Sequence, residues 1–214
     1  MNRTAFLVDG FNLYHSVKQA SRELALGGSG TRWLNIDTLC RSYLYVIGNE
    51  AQISGVYYFS ALAKHLEAIS PEVTKRHLSY IECLISTGII VELSRFKKKR
   101  IECDTCHSII KRHEEKETDV AISVKLFELF LLDACDTVVL VTGDTDLAPA
   151  VRTAQQIFPA KQICFAFPYG RKNKELAALV PTSFLIDKES YVNHQFPNPV
   201  VLADGRVINK PATW

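Results

Sequence analysis

Short apolar runs alternate along the chain with longer stretches of helical spacing. Residues 4–9, 56–59, 89–93, 137–142, 161–167 and 183–186 are runs of four to seven residues, rich in Val, Ile and Phe. They are too short for helices and read as strands. Between them, residues 11–26 place Leu13, Val17, Ala20 and Leu24 on one helical face, and residues 36–47 form a second helix. Ser70 then Pro71 open a helix that runs to residue 86, a cap followed by a proline in the first turn. Residues 118–133 predict a helix that buries Val120, Val124, Phe127 and Leu131. Further helices begin near Leu147, with Pro149 in the first turn, and at residues 172–179. Strands alternating with helices predict an α/β fold, a parallel sheet covered on both faces.

Three stretches depart from that rhythm. Residues 27–30 are a Gly-rich loop without the Gly-Lys-Ser/Thr ending of a phosphate loop, and read as a plain linker. Residues 95–115 are polar, basic and cysteine-containing, and read as an insert. Residues 188–214 form a tail whose turn signals, Pro197-Asn198-Pro199 and Ala203-Asp204-Gly205, suit a hairpin. The expected organisation is one domain over residues 1–187, carrying that insert, followed by the tail.

Two predicted strands end in acids. Phe6-Leu7-Val8 runs into Asp9-Gly10-Phe11-Asn12, and Val138-Val139-Leu140-Val141 runs into Thr142-Gly143-Asp144-Thr145-Asp146. In an open parallel sheet the carboxyl ends of the strands share one edge, where ligands bind. Asp9, Asn12, Asp144 and Asp146 are therefore expected to gather there. Crowded carboxylates repel unless a cation lies among them, and an all-oxygen donor set suits Mg²⁺ or Mn²⁺. Asp119, at the start of the 118–133 helix, is a further candidate, held at the positive end of the helix dipole.

Composition narrows the picture. With 214 residues, 47% of them hydrophobic, the chain can bury a full core. A formal net charge of +2 announces no polyanion globally, so any nucleic-acid contact has to come from a local patch. No run approaches a membrane span, and the few apolar residues ahead of Asp9 do not make a signal peptide. Cys40, Cys83, Cys135 and Cys164 lie in apolar patterns and read as reduced, buried thiols, which suits the cytoplasm.

The runs Val8-Asp9-Gly10-Phe11-Asn12, Glu114-Glu115-Lys116-Glu117-Thr118-Asp119-Val120-Ala121 and Thr142-Gly143-Asp144-Thr145-Asp146-Leu147 resemble the NYN domain. More narrowly, they resemble its LabA-like group, a branch of the PIN-like nuclease superfamily. The ending from Asn198-Pro199 through Trp214 is similar to that group's tail. The resemblance implies a Rossmann-like three-layer sandwich with a mostly parallel central sheet, and metal-dependent hydrolysis of RNA. On that resemblance Asp9 and Asp144 are the expected direct metal ligands, while Asp119 and Asp146 bind a second ion or metal-bound waters. Asn12 and Thr142 are expected to orient a water or a phosphate oxygen. Where the family often has glycine before its Thr-Asp step, this chain has Glu117. A non-cutting RNA- or protein-binding module on the same fold is the alternative.

The remaining candidates surround this centre. Cys103 and Cys106 have zinc-ligand spacing with His113 nearby, which suits a structural Zn²⁺ that folds the insert. Lys97, Lys98, Lys99 and Arg100 precede those cysteines, and Arg171, Lys172 and Lys174 follow the 161–167 strand on the expected edge of the acids. Such residues would hold phosphates of single-stranded RNA, with Phe11 and Tyr169 available to stack on bases. His15, a lone histidine near the edge, reads as structural. Association into a homodimer is compatible with the sequence.

Overall fold

Alternation along the central strands decides the architecture. In the first strand, Phe6 and Val8 point to one side of the sheet, and Ala5 and Leu7 to the other. The same division holds for Val139 and Val141 against Val138 and Leu140, and for Cys164 and Ala166 against Ile163, Phe165 and Phe167. A strand that is apolar on both faces has to be covered on both, and helices do so here.

The computed structural model describes residues 1–25, 30–102 and 105–214, with side chains for all of these except 101–102 and 110–112. The elements follow in the order β1 (Asn2–Asp9), α1 (Gly10–Glu23), α2 (Ile36–Ser42), α3 (Leu44–Ile47), β2 (Ala51–Ala61), α4 (Val73–Ser86), β3 (Ile90–Glu102) and β4 (Ile109–Lys116). The second half continues with α5 (Thr118–Leu131), β5 (Thr137–Val141), α6 (Ala148–Ile157), β6 (Gln162–Phe167), α7 (Lys174–Leu179), β7 (Phe184–Leu185), α8 (Lys188–Asn193), β8 (Val200–Val201) and β9 (Val207–Ile208). Seven strands form one sheet in the order β4-β3-β2-β1-β5-β6-β7. All neighbours are parallel except β3 and β4.

The chain builds outward from β1 in one direction, then returns to build β5, β6 and β7 in the other. Strand order therefore reverses between β1 and β5, and the loops leaving those two strands diverge. One apolar layer joins the sheet to α1, α2, α4 and α8, and the opposite layer joins it to α5, α6 and α7. This is the expected α/β three-layer sandwich.

Several expectations are corrected in detail. Residues 95–115 are not an irregular insert: β3 runs on past the sheet and pairs with β4 as a long hairpin, Arg95 opposite Lys116 and Lys98 opposite His113. Both faces of this edge hairpin carry polar residues, so it has no apolar alternation to announce it. The 36–47 helix is two, broken at Tyr43, whose ring is buried while its hydroxyl hydrogen-bonds Ser190 Oγ at 2.8 Å. In the tail, α8 precedes the expected hairpin of β8 and β9, and Tyr191, Phe196, Val200 and Leu202 enter the α1 layer. The 27–30 linker lies, but for Gly30, outside the described residues.

Helix α5 is turned from the face its sequence suggested. Ile122, Leu126, Leu129 and Phe130 are buried, whereas Val120, Val124 and Leu131 are 66%, 59% and 70% exposed; Phe127 packs only at the margin. Both stripes have helical spacing, so periodicity alone selects neither. We predict that Leu126→Ala lowers the free energy of unfolding by about 2–4 kcal/mol. Val124→Ala should change it by less than about 0.5 kcal/mol. Urea denaturation of the two variants checks the rotation, and the opposite ranking would refute it.

Candidate metal centre

Parallel pairing brings the two acid-bearing strand ends level. Val8 of β1 lies opposite Val141 of β5, so Asp9 and Thr142 are the first residues beyond the paired ladder on adjacent strands. Asp9 turns the chain into α1 as its N-cap, accepting the Asn12 backbone N–H on Oδ1 at 2.9 Å. The Thr142 hydroxyl donates to Asp9 Oδ2 at 2.9 Å and accepts the Asp144 N–H at 3.1 Å. Asn12 Oδ1 accepts the Gly143 N–H at 3.2 Å, so the two loops are tied twice across the crevice.

Two glycines make the close approach sterically feasible. A Cβ on Gly10 would lie 2.5 Å from the Phe59 carbonyl oxygen, and one on Gly143 only 2.0 Å from that of Arg171. Each glycine directly adjoins one of the acids. The loop after β6 is thereby pressed against the loop after β5, with the Arg171 backbone against Gly143.

Carboxylate oxygens of Asp9, Asp119 and Asp144 all lie within 4.8 Å of one another. Asp119 reaches them from the first turn of α5, and Asp144 from the turn that leads into α6. Three helix starts thus converge, and their positive ends offset part of the repulsion. The rest bears on Asp9 and Asp119. Burial pushes the Asp9 carboxyl above its usual range, and Asp144 pushes it further, against the hydrogen bonds from Asn12 and Thr142. Burial, then the charges of Asp144, Asp9 and Asp146, raises Asp119 to about 6. None of these four acids is ion-paired to a Lys, Arg or His among the described residues. A hard divalent cation fits this donor set: oxygen-only, close enough to share an ion, and uncompensated by protein.

The structure sorts the other candidates. Asp146 is exposed and stands outside the group of three, near enough for its charge to raise Asp119, while its N–H donates to Asp144 Oδ1 at 3.1 Å. Thr142 is buried with its hydroxyl both donating and accepting, and Asn12 is engaged with Gly143. Both hold the acid loops in place through these bonds. Tyr169 donates its hydroxyl to Glu23 and lies under Lys188, so it is not presented as a free stacking surface; Phe11, 48% exposed, is. His15 packs edge-on against Phe11 at 4.4 Å between ring centroids.

Strand alternation divides the basic hairpin between two faces. Arg95 and Lys97 pair with Glu117, and Lys99 with Glu114, so one face is largely neutralised. Lys98 and Arg100 fall on the other face, with Phe96. Lys172 and Lys174 are exposed next to Arg171. Of the zinc candidates, Cys103 lies outside the described residues, Cys106 is exposed with its sulfur 3.0 Å from Ser108 Oγ, and His113 stacks on His65. Glu117 has φ +81, a left-handed conformation that favours glycine.

Sequence reasoning missed Glu115. It is half-buried on β4, accepts the Thr118 hydroxyl at 2.6 Å, and is raised by burial and then by the nearby charges of Asp9 and Asp119. Its alternation with His113 on one strand face was the available signal, obscured by the reading of 95–115 as an insert.

A parallel α/β sandwich of this topology, with acids gathered at the reversal of strand order, is a PIN-like fold. The NYN domain family model matches residues 3–182, and the chain belongs to that family, a branch of the PIN-like nuclease superfamily. Nucleases of that superfamily typically use divalent metals. A crystal structure of a protein of unknown function from Vibrio parahaemolyticus is similar in fold, with a TM-score of 0.56 and 20% identity over 87% of this chain and 93% of that one. No curated protein matches the chain in sequence. Among the described residues, no helix is long and apolar enough to cross a membrane.

The raised Asp119 carboxyl gives a signed prediction. The native state keeps a proton that the unfolded chain releases near pH 4, so the metal-free protein loses stability as pH rises from about 4 to about 6. Asp119→Asn should therefore raise metal-free stability at pH 7.5 by about 1 kcal/mol, discounted for partial exposure, or about 2–4 °C in melting temperature. At pH 4 the gap should close. Thermal melts in EDTA at the two pH values test this, and a variant less stable than wild type at pH 7.5 would contradict it.

Proposed function

We propose that this protein is a metal-dependent nuclease that hydrolyses phosphodiester bonds in single-stranded RNA, of the LabA-like group of NYN proteins. The observation that supports it is the convergence of Asp9, Asp119 and Asp144 at the switch point of the sheet. Asp9 and Asp144, from the two strand ends, would hold a Mg²⁺ or Mn²⁺ ion together with Asp119, and Asp146 would hold waters at the exposed rim. When bound, such an ion activates a water and stabilises charge on the phosphate in flight.

The protein's own groups do the rest. Thr142 and Asn12 fix the spacing of the two loops, so the carboxylates meet an incoming phosphate already organised. Arg171, pressed against the acid loop at Gly143, and the exposed Lys172 and Lys174 would grip backbone phosphates on the same edge. Lys98 and Arg100 would extend that track along the hairpin face they share with Phe96, while Lys97 and Lys99 are already engaged by Glu117 and Glu114. Phe11, at the start of α1, offers a ring to a base.

A labelled single-stranded RNA incubated with the purified protein tests this reading. Cleavage is expected with Mn²⁺ or Mg²⁺ and not with EDTA, and Asp144→Asn should lower the rate by about 100-fold or more. RNA that is bound and never cut under any of these conditions would instead support the binding-module alternative.

A further inference from the structure

Beside the acids the protein contains a cavity of about 520 Å³, on the α1 and α4 side of the sheet, within the range that small-molecule sites occupy. It neighbours the acid cluster in sequence and through Glu115. Gly10 and Phe11, which line it, directly follow Asp9, and Glu115 borders the cavity while lying close enough to Asp9 and Asp119 to feel their charge.

The walls combine aromatic rings with aliphatic side chains such as Leu13, Leu34 and Val73. Phe11 and His15 contribute from α1, Tyr58 from β2, and Phe96 and His113 from the hairpin. His65 stacks on His113 with ring centroids 4.0 Å apart and planes 13° from parallel, and Phe96 meets His65 edge-on at 4.8 Å. The polar groups inside are mostly uncharged. Ser60 Oγ and His77 Nε2 lie 3.4 Å apart, and burial lowers the His77 pKa, so its imidazole stays neutral at physiological pH with one donor and one acceptor. His65 Nδ1 is buried and has no hydrogen-bond partner among the described residues. Arg76 and Arg32 also line the cavity, and Lys98 falls on the same hairpin face as Phe96.

We propose that this cavity receives one nucleobase of the strand whose phosphate lies at Asp9, Asp119 and Asp144. Flat rings with neutral donors and acceptors between them match a heteroaromatic base, which stacks by its face and hydrogen-bonds by its edge. Arg32 and Arg76 in the same lining would also suit a phosphate, and competition by free monophosphates separates the two occupants. The proposal rests on the nucleic-acid reading of the acid centre. It adds that binding is anchored at one nucleotide by its base, with Ser60, His65 and His77 placed to read the base edge.

Equilibrium binding with Ca²⁺ in place of Mn²⁺ or Mg²⁺, which keeps a cation between the acids and the phosphate, separates this from cleavage. A set of single-stranded RNA hexamers, each with one abasic position, is titrated by fluorescence anisotropy, with free nucleoside monophosphates as competitors. For wild type, loss of the base at one position should weaken binding by about tenfold, against little change at the others. In Ala63→Phe, which plugs the cavity, and in Phe96→Ala, which removes a wall, that difference between positions should vanish, with circular dichroism showing both folded. A flat abasic profile in wild type overturns the proposal, as does a position effect that survives in both variants. So does a monophosphate that binds as tightly as the hexamers, which would assign the cavity to free nucleotides. Mn²⁺-dependent cleavage by wild type is scored separately. Cleavage with a flat profile sinks the base pocket alone, whereas a sharp profile without cleavage sinks the nuclease reading and leaves the pocket.

Discussion

Mutual repulsion of Asp9, Asp119 and Asp144 is the constraint on which the rest of this edge depends. Three carboxylates with oxygens within 4.8 Å of one another are unfavourable without compensation. The surrounding architecture supplies it. Each acid sits at the start of a helical segment, Asp9 accepts two hydrogen bonds, and two glycines let neighbouring backbone close in where any larger residue would force it apart. The compensation is partial. Asp119 remains elevated, and the imbalance is the physical reason a cation would be stabilised there.

The central sheet and its acids were legible because β1 and β5 are short apolar runs ending in Asp and Gly, and parallel topology brings such ends to one edge. The rotation of α5 was not read correctly, although the sequence contained the answer. Asp119, Ile122, Leu126 and Leu129 lie along one side of a helix, so requiring Asp119 to face the acids fixes that stripe as the buried one and leaves Val120 and Val124 outside. A constraint from chemistry would have settled what periodicity left open. The roles of Thr142 and Asn12 depended on hydrogen bonds between loops far apart in sequence, which no local pattern encodes.

The hairpin of β3 and β4 shows a different limit. Its charges read as one basic run, but strand geometry gives alternate residues to opposite faces, and Glu114 and Glu117 occupy one of those faces. The electrostatic weight of the segment is therefore smaller and more one-sided than its composition suggests. Glu117 holds this arrangement from a left-handed backbone position, linking the hairpin to the start of α5, where Asp119 stands.

Pairing of β5 beside β1, in the middle of the sheet, has a consequence for the order of events during synthesis. Asp9 emerges from the ribosome early, yet it has no partner acids until α5 and then the Thr142–Asp146 turn have followed. Until then Asp9 lacks the carboxylates that surround it in the finished fold. The three carboxylates can therefore come together only once the Thr142–Asp146 turn has been made.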